Sequence, residues 1–229
     1  MDALIVAACD NVGVAPAVQK FVDAGKPVIA VDNGVDGVEI TSVVATDNKE
    51  SAGAAEFLAN TIEAEDFKVV TIDGVIAQGT GRDRKAGFEE KLKEVAPKAE
   101  IVNSIAADWV DDSALKGVED LLNGNVEFDA IFAAWDGGAL AARQTLKVAG
   151  REDIIVVGHD AFEESCKLMT DEDPIFKASV AQKPTDMGKL AVKTTVAAIK
   201  GETVEKFINS SHVLVSNENA QEYMNEIYK

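Results

Sequence analysis

Positive charge is scarce in this sequence. Its 229 residues hold 22 Lys and Arg against 40 Asp and Glu, a formal net charge of -18, so the summed field repels phosphate backbones and anionic lipid surfaces. No nucleic-acid partner is expected. Cysteine is scarcer still. Cys9 and Cys166 stand far apart and beside no motif, which argues against a disulfide or metal framework and predicts two buried thiols. No stretch approaches the ~20 apolar residues that span a bilayer, and Met1-Asp2-Ala3 lacks the basic start and apolar core of a signal peptide. Also missing are a P-loop, a G-x-G-x-x-G opening the first helix, a nucleophile elbow and any metal-ligand spacing. Gly79-Thr80-Gly81 is too short to mean a nucleotide. No catalytic residue, cofactor or metal is expected, and an enzyme is not the predicted function.

What the sequence has is core-forming material in a regular order. It is 47% apolar and 27% charged, and short β-branched runs alternate with longer segments of helical period. Strands are predicted at Ala3–Ala8, Val28–Val31, Thr41–Ala45, Lys68–Ile72, Glu100–Ala106, Ala130–Ala134, Ile154–Gly158, Lys177–Ala181 and Val213–Val215, with helices between most of them. Strands apolar along their whole length are buried on both faces, as in a parallel sheet flanked by helices. The fold class is α/β and doubly wound.

In such sheets the ligand crevice lies beyond the carboxyl ends of the strands. There the sequence places Asp32 and Asn33, then Arg82-Asp83-Arg84 after the loop 74–81, Asp108-Trp109, Trp135-Asp136, His159-Asp160 and Gln182. Carboxylates, amides and arginine hold hydroxyl groups, which both donate and accept. An aromatic face suits the C–H side of a sugar ring. Asp136 and Asp160 equally suit helix caps, the tryptophans suit a core, and His159 suits an internal hydrogen bond.

The stretches Gly25-Lys26-Pro27-Val28-Ile29-Ala30-Val31-Asp32, Thr46-Asp47-Asn48, Arg82-Asp83-Arg84-Lys85-Ala86-Gly87-Phe88, Ala107-Asp108-Trp109, Phe132-Ala133-Ala134-Trp135-Asp136, Val156-Val157-Gly158-His159-Asp160 and Ala181-Gln182-Lys183-Pro184 resemble the ribose-binding-like solute-binding proteins of ABC importers, of the type I periplasmic class. The likeness runs in unbroken order from residue 2 to about residue 205. It implies two lobes, with 1–45 and 184–211 in the N-terminal one and 46–183 and 212–229 in the C-terminal one. Three hinge crossings near 45–48, 182–183 and 211–215 would join them. It also implies a sugar or polyol ligand held by Asp32, Asn33, Arg84, Trp109, Trp135, Asp136, His159, Asp160 and Gln182. The implied partner is a membrane permease, and the implied location is the periplasm or the outer face of the cell membrane.

The residues depart from the ribose-type pattern at informative places. Asn33 stands where an arginine is common, Trp135 where an asparagine is usual, and His159 where a phenylalanine is usual. A bulkier sugar, a cyclic polyol or another polar metabolite is expected rather than ribose. Family members also have a strand-helix-strand-helix segment before the equivalent of Ala3, on the order of 50 residues at typical element lengths. This sequence does not contain it, so the N-terminal lobe is expected to be partial. The strand Ala3–Ala8 would then be an open edge suited to self-association. The competing reading is the effector-binding core of a lactose-repressor-type regulator, which shares this fold.

Overall fold

A computed structural model describes residues 1–46 and 50–228. The expected crossing at 45–48, and the motif Thr46-Asp47-Asn48, fall partly outside the described residues. The chain divides into two compact units, one of residues 1–47, 77–80 and 183–212, the other of 48–76, 81–182 and 213–229.

The first unit is a four-stranded sheet of β1 (Leu4–Val6), β2 (Val28–Val31), β3 (Ser42–Ala45) and β9 (Phe207–Asn209) in the order β1-β2-β3-β9. Every pair is parallel. Period-two alternation divides the side chains of β2 between two cores. Val28 and Ala30 join Val18 of helix α1 (Ala15–Asp23), while Ile29 joins Met187 and Ala191 of helix α7 (Pro184–Ile199). Prolines sit in the first turns of both helices, where a missing N–H costs nothing. Gly25, at φ +65°, carries the chain out of α1 toward β2 in a conformation that a Cβ would oppose. The predicted strand Ala3–Ala8 shortens to three residues, and β9 was not foreseen.

The second unit has a six-stranded sheet in the order β10-β8-β7-β6-β4-β5. Its strands are β4 (Lys68–Asp73), β5 (Glu100–Ala106), β6 (Ala130–Ala133), β7 (Ile155–His159), β8 (Phe176–Gln182) and β10 (His212–Ser216). The pairs β4–β5, β4–β6, β6–β7 and β7–β8 are parallel. Helices α2 (Ala52–Thr61) and α3 (Gly79–Val95) cover one face; α4 (Asp111–Asn123), α5 (Asp136–Val148), α6 (Glu163–Thr170) and α8 (Ala220–Ile227) supply the other core. Ala130 and Phe132 of β6 belong to the first of these cores, Ile131 and Ala133 to the second. Phe132 stacks on Phe88 of α3, centroids 4.1 Å apart and rings 6° from parallel, worth about 0.5–1.5 kcal/mol beyond the area buried.

Two expectations need correction. Gly79-Thr80-Gly81 is not loop but the opening turn of α3. The two cysteines are both free, but only Cys166 is buried and Cys9 is exposed. Burial pushes the Cys166 thiol up to about 12, so it is an inert core residue. Among the described residues no helix is long and apolar enough to cross a membrane.

Candidate ligand-binding site

In the second unit the carboxyl ends of five neighbouring strands carry seven of the nine predicted ligand residues. Arg84, on the first turns of α3, is the centre of the group and only 5% exposed. Its Nη1 donates to the Ala134 carbonyl at 2.7 Å and lies 3.2 Å from Asp160 Oδ1, while its Nε donates to Glu50 Oε1 at 3.1 Å. The guanidinium carbon lies 5.8 Å from the Trp109 ring centroid, within cation–π range.

Trp109 and Trp135 meet edge to face, centroids 5.5 Å apart at 81°. Trp135 is fixed further by its indole N–H, which donates to Asp111 Oδ1 at 2.9 Å. A Cβ at Gly74 would collide with the Trp109 indole; glycine there lets the ring lie against the backbone that follows β4.

Asp160 and Trp109 hold φ of +108° and +63°, a region that disfavours a side chain. Such strain persists only where surrounding contacts over-determine it, and it concentrates at functional sites. At Asp160 the backbone N–H donates to the Val180 carbonyl of the neighbouring strand at 2.7 Å, and the side chain ties to Arg84. Gln182, at the end of β8, donates to Glu50 Oε2 at 3.4 Å.

His159 and Asp136 have no exposed surface. His159 Nδ1 lies 3.4 Å from Asp160 Oδ1. Its Nε2 stands 3.3 Å from Glu50 Oε1, close enough for charge attraction but out of line for a hydrogen bond. Burial and the Arg84 guanidinium push the imidazole pKa down, while Glu50 and Asp160 push it up, and the carboxylates prevail. Asp136 accepts from the Phe162 N–H and the Ser179 hydroxyl, each at 2.7 Å. Burial, reinforced by the Asp160 charge, raises its pKa to about 7. Its side chain does not cap its own helix. It ties β8 to the start of α6, and Asp160 likewise forms an ion pair rather than a cap.

The other two predicted residues lie in the first unit. Asp32, at φ +66°, ends β2 with its N–H donating to Val44 O at 2.9 Å. Asn33 is largely buried, and its Oδ1 accepts from the Thr80 N–H and hydroxyl at 2.9 and 2.7 Å. That amide therefore holds Thr80, which belongs to the same unit.

The sequence and the fold are shared with known proteins. The family described as "Periplasmic binding protein domain" matches residues 1–203. The ribose import binding protein RbsB of Bacillus subtilis is 30% identical over 211 residues, covering 92% of this chain and 67% of that protein. The chain belongs to the periplasmic binding protein family. A periplasmic solute-binding protein from Actinobacillus succinogenes 130z, solved with D-allose, aligns with a TM-score of 0.88 at 26% identity, covering 97% of this chain and 81% of that one. A solute-binding protein from Bacillus halodurans C-125, solved with myo-inositol, gives 0.85 at 27% identity, covering 99% and 78%.

This periplasmic binding protein is therefore a capture component of ABC-type sugar import, a binder and not an enzyme, and the family sets its place in the periplasm. The repressor-core reading is not favoured. Four groups that organise the site escaped the sequence reading: Glu50, Asp111, Ser179 and the Ala134 carbonyl. Only Ser179 left a signal, as a hydroxyl inside an apolar strand; Glu50 follows the end of β3 but stands beyond the hinge stretch 45–48, where no ligand residue is expected.

Proposed function

We propose that this binding protein captures a neutral six-membered polyhydroxylated ring, a pyranose or a cyclitol, for delivery to its membrane permease. The observation that carries this reading is the convergence of Arg84, Asp160 and Trp109: a fixed donor, a fixed acceptor and an aromatic face at adjoining strand ends. A ring hydroxyl donates to Asp160 and accepts from Arg84, and the apolar side of the ring rests on Trp109. Gln182 adds an amide from the end of β8. Trp135 backs Trp109 through its edge contact. His159 and Asp136, being wholly buried, act by holding Asp160 and the strand ends in place.

The ligands in two of the neighbouring structures, D-allose and myo-inositol, support a six-membered ring, and Trp109 offers one indole face to its apolar side. A thermal-shift screen of neutral pyranoses and cyclitols tests the reading. At least one such compound raises the melting temperature in a saturable manner.

A further inference from the structure

Glu50 contacts three of the predicted ligand residues, yet it is itself 3% exposed. One oxygen accepts from Arg84 Nε at 3.1 Å and stands 3.3 Å from His159 Nε2; the other accepts from Gln182 Nε2 at 3.4 Å. The Arg84 guanidinium is thereby held between two carboxylates, Glu50 on Nε and Asp160 on Nη1, with the Ala134 carbonyl on Nη1 as well. Counting formal charges, Arg84 contributes one positive and Glu50 with Asp160 two negative, so the set is balanced only when His159 is protonated and is otherwise acidic.

Asp136 lies beyond Asp160 and adds negative charge when ionised. Asp83 on α3, itself exposed, adds a further negative charge near Glu50. An arginine with a free fork is a ready site for a carboxylate or phosphate. This arginine is already neutralised, and a second anion brought beside Glu50 and Asp160 meets repulsion in a setting of low dielectric.

We propose that Glu50 is a positioning and specificity-determining residue, which fixes the aim of Arg84 and cancels its charge so that the site takes neutral polyols and turns away sugar acids and sugar phosphates. This rests on the proposed ligand role of Arg84. It does not require Glu50 to touch the ligand. Removing the negative charge frees the guanidinium to attract an anion and loosens its aim on a neutral ring.

The test compares the unaltered protein with Glu50→Gln, which keeps the size and an acceptor for Arg84, and with Glu50→Asp, which keeps the charge on a shorter arm. Calorimetric titration uses the best neutral pyranose or cyclitol and its uronate counterpart, D-glucuronate or D-galacturonate. Glu50→Gln is expected to weaken the neutral ligand by about tenfold and raise the affinity for uronate relative to it by at least as much, with Glu50→Asp between. An unchanged ratio of uronate to neutral affinity in a folded Glu50→Gln protein, or a preference of the unaltered protein for uronate, overturns the proposal.

A ligand-independent arm keeps its failure apart from that of the ligand reading. In the unliganded protein, the Arg84 Nε–H and His159 ring nitrogen resonances should move in Glu50→Gln, with His159 protonating at lower pH than in the unaltered protein. If both resonances and that titration are unmoved, Glu50 does not position the cluster, whichever ligand binds.

Discussion

Asp136 occupies the space that a side chain at residue 158 would fill. A Cβ on Gly158 would collide with Asp136 Oδ1, the atom that accepts the Ser179 hydroxyl. Glycine in the middle of β7 therefore admits a buried carboxyl group behind the ligand-side residues.

That burial predicts a pH signature. The folded pKa of Asp136 is raised to about 7 from the ordinary carboxylate range, so the folded state holds a proton that the unfolded state has lost. The stability this group contributes is whole below about pH 4 and disappears as pH rises to about 7. Asp136→Asn removes the titration and keeps an acceptor for the Phe162 N–H. The melting temperature of Asp136→Asn relative to the unaltered protein should climb across that window; a constant difference contradicts the assignment.

Arg84 predicts a stability cost as well as a binding one. Arg84→Ala strands Glu50 and Asp160, and breaking a buried pair by removing one partner typically costs about 3–5 kcal/mol. Chemical denaturation should show a loss of that order. Arg84→Lys keeps the charge but not the fork, so it should recover much of the stability while still binding the ligand poorly. Full binding by Arg84→Lys would remove the argument that the guanidinium's fixed geometry matters.

The tryptophan pair separates contact from support. Trp109→Ala should weaken ligand binding by about tenfold or more, since base-like stacking and ring contacts of this size are worth on the order of 1–2 kcal/mol. Asp111→Ala frees the Trp135 indole N–H and should have a smaller effect, because Trp135 stays edge-packed on Trp109. Intrinsic fluorescence reads both: ligand should change the emission of the unaltered protein and leave Trp109→Ala without a response.

The fold was largely legible because parallel strands buried on both faces advertise themselves as short β-branched runs, as Val28–Val31 and Ala130–Ala133 do. The end of β1 and the whole of β9 were not, since a three-residue strand carries too little periodicity to register. Strand-end logic placed Arg84, Trp109, Asp160 and Gln182 at neighbouring strand ends, positions that follow from topology. It could not tell which strand-end groups face inward. That Asp136 and His159 are wholly buried was not legible, because nothing in sequence reports that Gly158 makes room for one carboxylate, or that Glu50 lies beside the imidazole from a distant segment. Glu50 was invisible for the same reason.

The edge of the first unit's sheet carries its own expectation. Among the described residues β1 pairs only with β2, and Ile5 is 44% exposed. Unpaired apolar edges invite strand addition, and we propose self-association there, limited by the three-residue length. Sedimentation should show a concentration-dependent dimer that Ile5→Lys abolishes. A monomer at every concentration rules this out.

The most direct test of the central claim is the thermal-shift titration of the purified protein with neutral pyranoses and cyclitols. A ligand at about 100 times its dissociation constant adds roughly 2.7 kcal/mol to stability, a shift well above noise. The structure predicts saturable stabilisation by at least one such ring and none by it in Arg84→Ala. A flat response across the whole panel, or chemical turnover of any stabilising compound, would contradict the account.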